Sequence, residues 1–391
     1  RNLGIGGGGG GGGIGARTLD GVFCLGASFE ESMQRAEAAK TSGDEKAKVL
    51  GLLKAADALV QAGRLHDAAK EVEQAQTLIR ELKFEEGRAC SMVIVAKIYA
   101  KQGSLSTVDQ LDEALDLASD AQEKFRKFGS KKSEAAAFLA LAAARHANKK
   151  YEDGNLAAKE AQMLLEDLGD KPAVAEVYEV VTDGYLMKDD TKKAAKMMYK
   201  AKAIQMELGD RVKEGECMHR IGKIELQGRD TDKALAALEE AKKIFQELGE
   251  HKRVAAVMTT HQDSLMKKGK VAEAVRIGQQ IVTVFHAAGD TKGEGNALVT
   301  LAELLLEKNQ IDLSGKVLAS AGQLFSTIRD GEGMIRVNEA GAKLKNANLK
   351  REVEESIENN NMFYNYPVNT MVEMNLAGQV KEALAAAKKG L

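Results

Sequence analysis

The sequence has no tryptophan, only 2 prolines in 391 residues, 4% aromatics and three cysteines. Scarce proline leaves long helices uninterrupted, because proline is the residue that most strongly breaks a helix interior. The cysteines, Cys24, Cys90 and Cys217, are odd in number and without paired spacing. That excludes a disulfide framework and the usual zinc patterns, and points to a reducing compartment. Charge of one sign is also missing: Lys+Arg 56 stand against Asp+Glu 58, a formal net charge of -2. A nucleic-acid partner needs a basic excess or stripe, so none is expected. Bases mostly lie three or four positions from acids, as Lys243 does from Glu239, the spacing of a solvated helix face. Apolar runs are short and alanine-rich, as at residues 135–144, so no direct membrane insertion is expected.

Catalytic constellations are missing as well. Cys217 and His219 sit two apart, which on a helix turns them to different faces and excludes a shared metal. His66, His146, His251, His261 and His286 show no i,i+4 pairing. The glycine tract from Gly6 to Gly13 satisfies GxGxxG trivially, but no strand precedes it and no Gly-Lys-Thr/Ser follows. Gly289-Asp290-Thr291-Lys292-Gly293 resembles a phosphate loop but falls where the chain passes between two repeats. No catalytic, metal or cofactor residue is therefore assigned, and the protein is read as non-enzymatic.

What the sequence does contain is a recurring loop. It reads Leu168-Gly169-Asp170, Leu208-Gly209-Asp210 and Leu248-Gly249-Glu250, with weaker copies at Phe128-Gly129-Ser130 and Ala288-Gly289-Asp290. The glycine numbers 129, 169, 209, 249 and 289 differ by 40 at each step. A strict period of this length marks a repeat solenoid, here all-α, in which each unit buries its apolar face on its neighbours. The glycine is read as the left-handed residue that ends a helix and the aspartate as the cap that starts the next. Small residues recur in register at Ala68, Ala114, Gly154, Ala194, Ala234, Ala274 and Ser314. Seven positions later stand Ala75, Ala121, Ala161, Ala201, Ala241, Ile281 and Ala321. Small side chains seven apart share one helix face and admit a close neighbour. A third column precedes the first by about twelve residues: Ala56, Ala142, Thr182, Gly222, Gln262 and Ala302. Turns inside the repeats are placed at Gly63, Gly103, Gly228 and Gly269, or at polar substitutes such as Asp189-Asp190.

The units fall at about 45–84, 85–130, 131–170, 171–210, 211–250, 251–290 and 291–330, with extra residues at 104–109 in the second. A degenerate unit is expected at 331–358. Residues 1–27 read as a flexible glycine-rich leader. Residues 28–42 read as a capping helix opened by the box Ser28-Phe29-Glu30-Glu31. Asn359-Asn360-Asn361 is expected to stop the last helix. An aromatic, extended segment should follow at 359–368, and a helical hairpin at 369–391.

The spacing of the small residues, with an apolar residue before the first-helix position (Ile221-Gly222, Leu141-Ala142, Leu301-Ala302), resembles the tetratricopeptide repeat. The 40-residue period and the Leu-Gly-Asp linker are similar to the long variant found in spindle-orientation adaptors that bind G-protein α subunits and in kinesin light chains. The resemblance covers roughly residues 42–330. It implies a right-handed α-solenoid of about seven to eight helix-turn-helix repeats that serves as a protein-interaction scaffold or adaptor, its first helices lining a concave surface. The asparagines with which the long-repeat adaptors grip a peptide backbone are replaced here, by Arg220 and Lys223 around Gly222 and by Thr300 and Glu303 around Ala302.

Transferring that geometry places Leu53 and Asp57, Leu139 and Ala143, Glu179 and Asp183, His219 and Lys223, Thr259 and Asp263, and Val299 and Glu303 on the groove. Five acids against one lysine suggest a mildly acidic surface for a protein segment carrying basic or amide groups. Phe363, Tyr364 and Tyr366 are the other candidate partner-binding residues, since aromatics supply much interface energy. The alternative function is a constitutive structural subunit of a larger complex with no exchangeable peptide. The expected compartment is the cytosol. A first residue Arg1 in place of methionine leaves an organelle, after presequence removal, as the alternative.

Overall fold

The computed structural model describes Leu19 and residues 21–363, without the side chains of Ser104 and residues 356–363. The described residues hold sixteen α-helices, one short 3-10 turn at Gly103–Leu105 and no strand. A single helix, α1 (Phe29–Lys40), comes first. Seven helix-turn-helix units follow. They are α2 (Glu45–Gln61) with α3 (Leu65–Leu82), α4 (Glu85–Gln102) with α5 (Val108–Phe128), α6 (Lys131–Ala147) with α7 (Tyr151–Asp167), and α8 (Lys171–Met187) with α9 (Thr191–Leu208). After them come α10 (Arg211–Gln227) with α11 (Thr231–Glu247), α12 (His251–Lys267) with α13 (Val271–Ala287), and α14 (Thr291–Glu307) with α15 (Ile311–Thr327). One long helix, α16 (Gly331–Phe363), closes the described chain. These are helix-turn-helix repeats of an all-α solenoid fold.

The punctuation works as the sequence suggests. Gly129, Gly169, Gly209, Gly249 and Gly289 all have φ between 66° and 72°, the left-handed region where glycine has no Cβ penalty. The following aspartates accept from the third backbone N–H of the next helix, Asp170 from Ala173 at 3.2 Å, Asp210 from Lys213 at 3.0 Å and Asp290 from Gly293 at 2.9 Å. Inside the repeats one assignment shifts. Gly228 has φ -72° and the left-handed residue is Arg229 at 63°. Gly228 is needed for space instead, because a Cβ there would lie 2.7 Å from the Thr191 hydroxyl. The extra residues of the second repeat form the 3-10 turn, after which Thr107 and Gln110 make a reciprocal capping box that opens α5.

All three small-residue columns are buried. Of the three polar residues in the columns, Ser314 and Thr182 are satisfied by main-chain carbonyls, whereas Gln262 keeps a buried Oε1 without a hydrogen-bond partner. The Ser314 hydroxyl donates to the Ala302 carbonyl at 2.7 Å, and the Thr182 hydroxyl donates to the Tyr178 carbonyl at 2.7 Å.

The chain divides into two compact units, Arg1–Glu240 and Ala241–Leu391. The core of the first runs from Leu19 through Val177 and includes Leu53, Ile94, Phe125 and Leu165. In the second, Val299, Leu318, Phe325 and Ala340 form one cluster and Val275, Leu301, Leu304 and Leu305 another.

Two expectations are corrected at the ends. Residues 21–27 are not a flexible leader: Val22, Phe23, Cys24 and Leu25 are each 4% exposed or less, because this apolar stretch packs into the first unit. At the other end the expected degenerate repeat is one continuous helix, and the asparagines at 359–361 lie inside it. The proposed segments beyond residue 363 lie outside the described residues.

Candidate functional site

The first helices of five consecutive repeats, α2, α4, α6, α8 and α10, contribute to a groove in the first unit, and residues 21–27 sit in it. Side chains of the groove receive the backbone of that segment. Lys54 donates to the Gly21 carbonyl at 2.6 Å, and Asp57 Oδ2 accepts from the Cys24 N–H at 2.8 Å. The Gln61 amide donates to the Cys24 carbonyl at 3.3 Å and to Glu176 Oε1 at 3.2 Å. Glu176 Oε2 accepts from the Gly26 N–H at 3.0 Å, and the Lys213 ammonium donates to the Gly26 carbonyl. The segment is a compact turn: the Ala27 N–H donates to the Cys24 carbonyl at 3.1 Å, with Gly26 at φ 71°. That is the third turn position where positive φ calls for glycine. Gly26 also presses on α8, since a Cβ there would stand 2.5 Å from Pro172. Phe23 meets Phe125 edge-to-face at 5.9 Å, and the Lys97 ammonium lies 5.4 Å from the Phe23 ring.

Beyond Ala27 the groove continues as a cavity of about 580 Å³. Four cations, Lys97, Lys101, Lys213 and Arg220, line it against four carboxylates, Glu176, Glu179, Asp183 and Glu216. The charge is balanced rather than acidic. Burial pushes the Glu176 carboxyl up to about 7, against the pull of Lys97 and the Gly26 N–H. Glu179 is likewise raised by burial, with Arg220 opposing. For Lys97, burial disfavours the charge, but Asp57 and Glu176 outweigh it and its pKa rises. The Cys24 and Cys217 thiols are each pushed up to about 12, first by burial and then by nearby carboxylates. Both thiols are thereby disfavoured from ionising, unlike the activated cysteines of electropositive sites.

The structure brings together some of the residues expected from the sequence. Leu53 and Asp57 are fully buried behind the segment, and Leu139 and Ala143 sit close by on α6, Leu139 at 2% exposure. Glu179 and Asp183 share Arg220, whose guanidinium reaches Glu179 at 3.2 Å and also donates to Asp183. His219 is half-buried, its pKa pushed down to about 4 by burial and by Lys223, and Lys223 is exposed. In the second unit Thr259 and Asp263 are exposed on α12, Val299 is buried, and Glu303 pairs with Lys343 at 2.6 Å. Phe363 ends α16 with its side chain outside the described residues, as are Tyr364 and Tyr366.

Sequence reasoning missed Lys54, Gln61, Lys97, Glu176 and Lys213, and the segment they hold. Two signals were available. Val22-Phe23-Cys24-Leu25 is too apolar for a solvated leader, and Asp57 is a lone acid inside the apolar run of α2. A third signal is a broken column: Phe125, Leu165, Phe245, Phe285 and Phe325 recur in register, but Gln205 takes that place beside the cavity. Its Oε1 is buried without a hydrogen-bond partner.

Among the described residues no helix is long and apolar enough to cross a membrane, and no group of three or more His, Cys, Asp or Glu could hold a metal. No family model and no curated protein matches the sequence. Solved structures with similar helical arrangements include a Rap protein complexed with competence and sporulation factor, 15% identical over 80% of each chain with a TM-score of 0.48. The apo quorum sensor NprR from B. thuringiensis is 13% identical over 76% of this chain and 81% of its own, TM-score 0.43. The TPR-like repeats of a putative kinesin light chain from Podosopora anserina are 15% identical over 49% of this chain and 95% of their own, TM-score 0.38.

Proposed function

We propose that the chain is a non-enzymatic protein-interaction scaffold whose first unit binds a peptide segment of a partner protein in the groove described above. The carrying observation is that five main-chain polar groups within residues 21–27 are received by side chains of α2, α8 and α10. Side chains aimed at a peptide backbone recognise its shape and turn while leaving tolerance in its side chains. The cavity beyond Ala27 leaves room for a longer segment, and its cations and carboxylates suit the carbonyls and amides of a main chain. A protein partner therefore fits this site, and the earlier preference for a basic segment gives way to one for an apolar turn with polar flanks. The test is to pan displayed random peptides on the full chain and compare the enriched peptides on Asp183→Ala and Arg220→Ala, at two residues that line the cavity beyond Ala27. Each substitution should weaken binding about tenfold, the worth of about 1.4 kcal/mol. Absence of enrichment, or peptides indifferent to both substitutions, contradicts the proposal.

A further inference from the structure

The segment filling the groove belongs to the chain itself, and we propose that residues 21–27 are a tethered, displaceable occupant that a partner carrying a similar apolar turn must replace. The inference rests on the peptide-groove reading above and names its ligand class: an aromatic residue, a small residue, an aliphatic residue and a glycine, as in Phe23-Cys24-Leu25-Gly26. The aromatic and the glycine have specific counterparts in the groove. The aromatic side chain packs edge-on against Phe125, and the glycine supplies the positive φ and the close approach to Pro172.

Two features distinguish the occupant from the repeat core. Outside its own two tight turns, its recorded backbone hydrogen bonds run to side chains of the groove, and the sequence upstream is dominated by glycine. The occupant also stops short. The Arg220, Glu179 and Asp183 cluster borders the cavity beyond Ala27. A partner that forms the same turn and continues past it gains contacts there that the tethered copy does not make. That difference is what displacement requires, since a ligand shifts an equilibrium only by its differential affinity. A tethered competitor acts at an effective concentration of about millimolar, so a bare copy of the turn added in trans should compete poorly.

The test combines hydrogen exchange of the full chain with binding of a labelled synthetic peptide of sequence 19–27. The Cys24 and Gly26 amides should exchange at least about tenfold faster than interior amides of α8, through a local opening. A full chain carrying Gly26→Val, whose side chain cannot fit against Pro172, should capture the peptide at least about tenfold more tightly than wild type. Exchange of Cys24 and Gly26 only together with α8 overturns the proposal by making the segment part of the core. The peptide-groove reading then stands on the cavity beyond Ala27. Early opening with no peptide captured by a folded Gly26→Val chain overturns both. A Gly26→Val chain that loses its helices overturns displaceability alone.

Discussion

Asp57→Ala should be among the most damaging single substitutions in the first unit. The Asp57 side chain is fully buried, its Oδ1 lying 2.7 Å from the ammonium of Lys97, which is 11% exposed. Its Oδ2 accepts from the Cys24 N–H. Removing one partner of a buried ion pair costs about 3–5 kcal/mol, because the other charge stays in place without water. Glu176 still attracts Lys97, which moves the expected cost toward the lower end. The Cys24 amide loses its acceptor as well, worth about 1–3 kcal/mol if it stays buried. The sum points to about 4 kcal/mol. In Asp57→Ala/Lys97→Met both charges are gone and only the amide remains, so the double variant should lose about 1–2 kcal/mol. A favourable coupling of about 2 kcal/mol or more should appear in the cycle. Repeat arrays need not unfold in one step, so the readout is urea unfolding by circular dichroism together with hydrogen exchange of α2 and α4 amides. An Asp57→Ala cost under about 1 kcal/mol, the range of ordinary surface substitutions, would refute the burial of this pair beneath residues 21–27.

Other outcomes follow from the same side chains. The Glu176 carboxyl is raised from 4.5 to about 7 in the folded chain, so the native state holds its proton more tightly than the unfolded state. Stability should therefore fall as pH rises from about 4.5 to about 7, by about 1–3 kcal/mol relative to Glu176→Gln, each pKa unit being worth about 1.4 kcal/mol. A pH-independent difference between the two proteins would count against it. Gln205→Leu restores the apolar column and removes a buried unpartnered Oε1, and should raise stability by about 1–2 kcal/mol in the same unfolding assay. A loss of stability would show that Gln205 has a partner. Gly154→Ala would place a Cβ 2.3 Å from the His146 ring, which is held between Gly154 and Gly184. It should cost about 1–3 kcal/mol despite alanine's better helix propensity, and His146→Ala should relieve the clash in the double variant. An unchanged melting temperature for Gly154→Ala would contradict that packing.

The repeats were legible because their signals are local. A left-handed glycine, an aspartate cap and a small residue seven positions after another are each decided within two or three turns of helix. The period of 40 then carried the boundaries along the whole array. Even where glycine is absent, at Lys83 and Arg329, the backbone keeps positive φ, so the loop geometry outlasts the residue that announces it. The groove was less legible because its contacts are remote. Cys24 reaches Asp57 across 33 positions, Gly26 reaches Glu176 across 150 and Lys213 across 187. No periodic pattern in a single sequence encodes those pairs. Basic partners of four of the five acids read as a charged surface were missed for the same reason. Lys97, Arg220 and Lys343, which neutralise Asp57, the Glu179–Asp183 pair and Glu303, come from the next repeat along, about 40 positions away.

Residues 21–27 occupying the groove is the claim on which the functional reading depends, and Cys24 reports on it directly. Its thiol is 2% exposed, sits 3.5 Å from the Lys54 carbonyl and is pushed up to about 12. Mass-spectrometric footprinting of the native full chain with a thiol reagent should show Cys24 reacting about a hundredfold more slowly than the same cysteine in a free peptide. Modification of Cys24 at the free-peptide rate, with Cys90 still protected, would contradict the occupied groove.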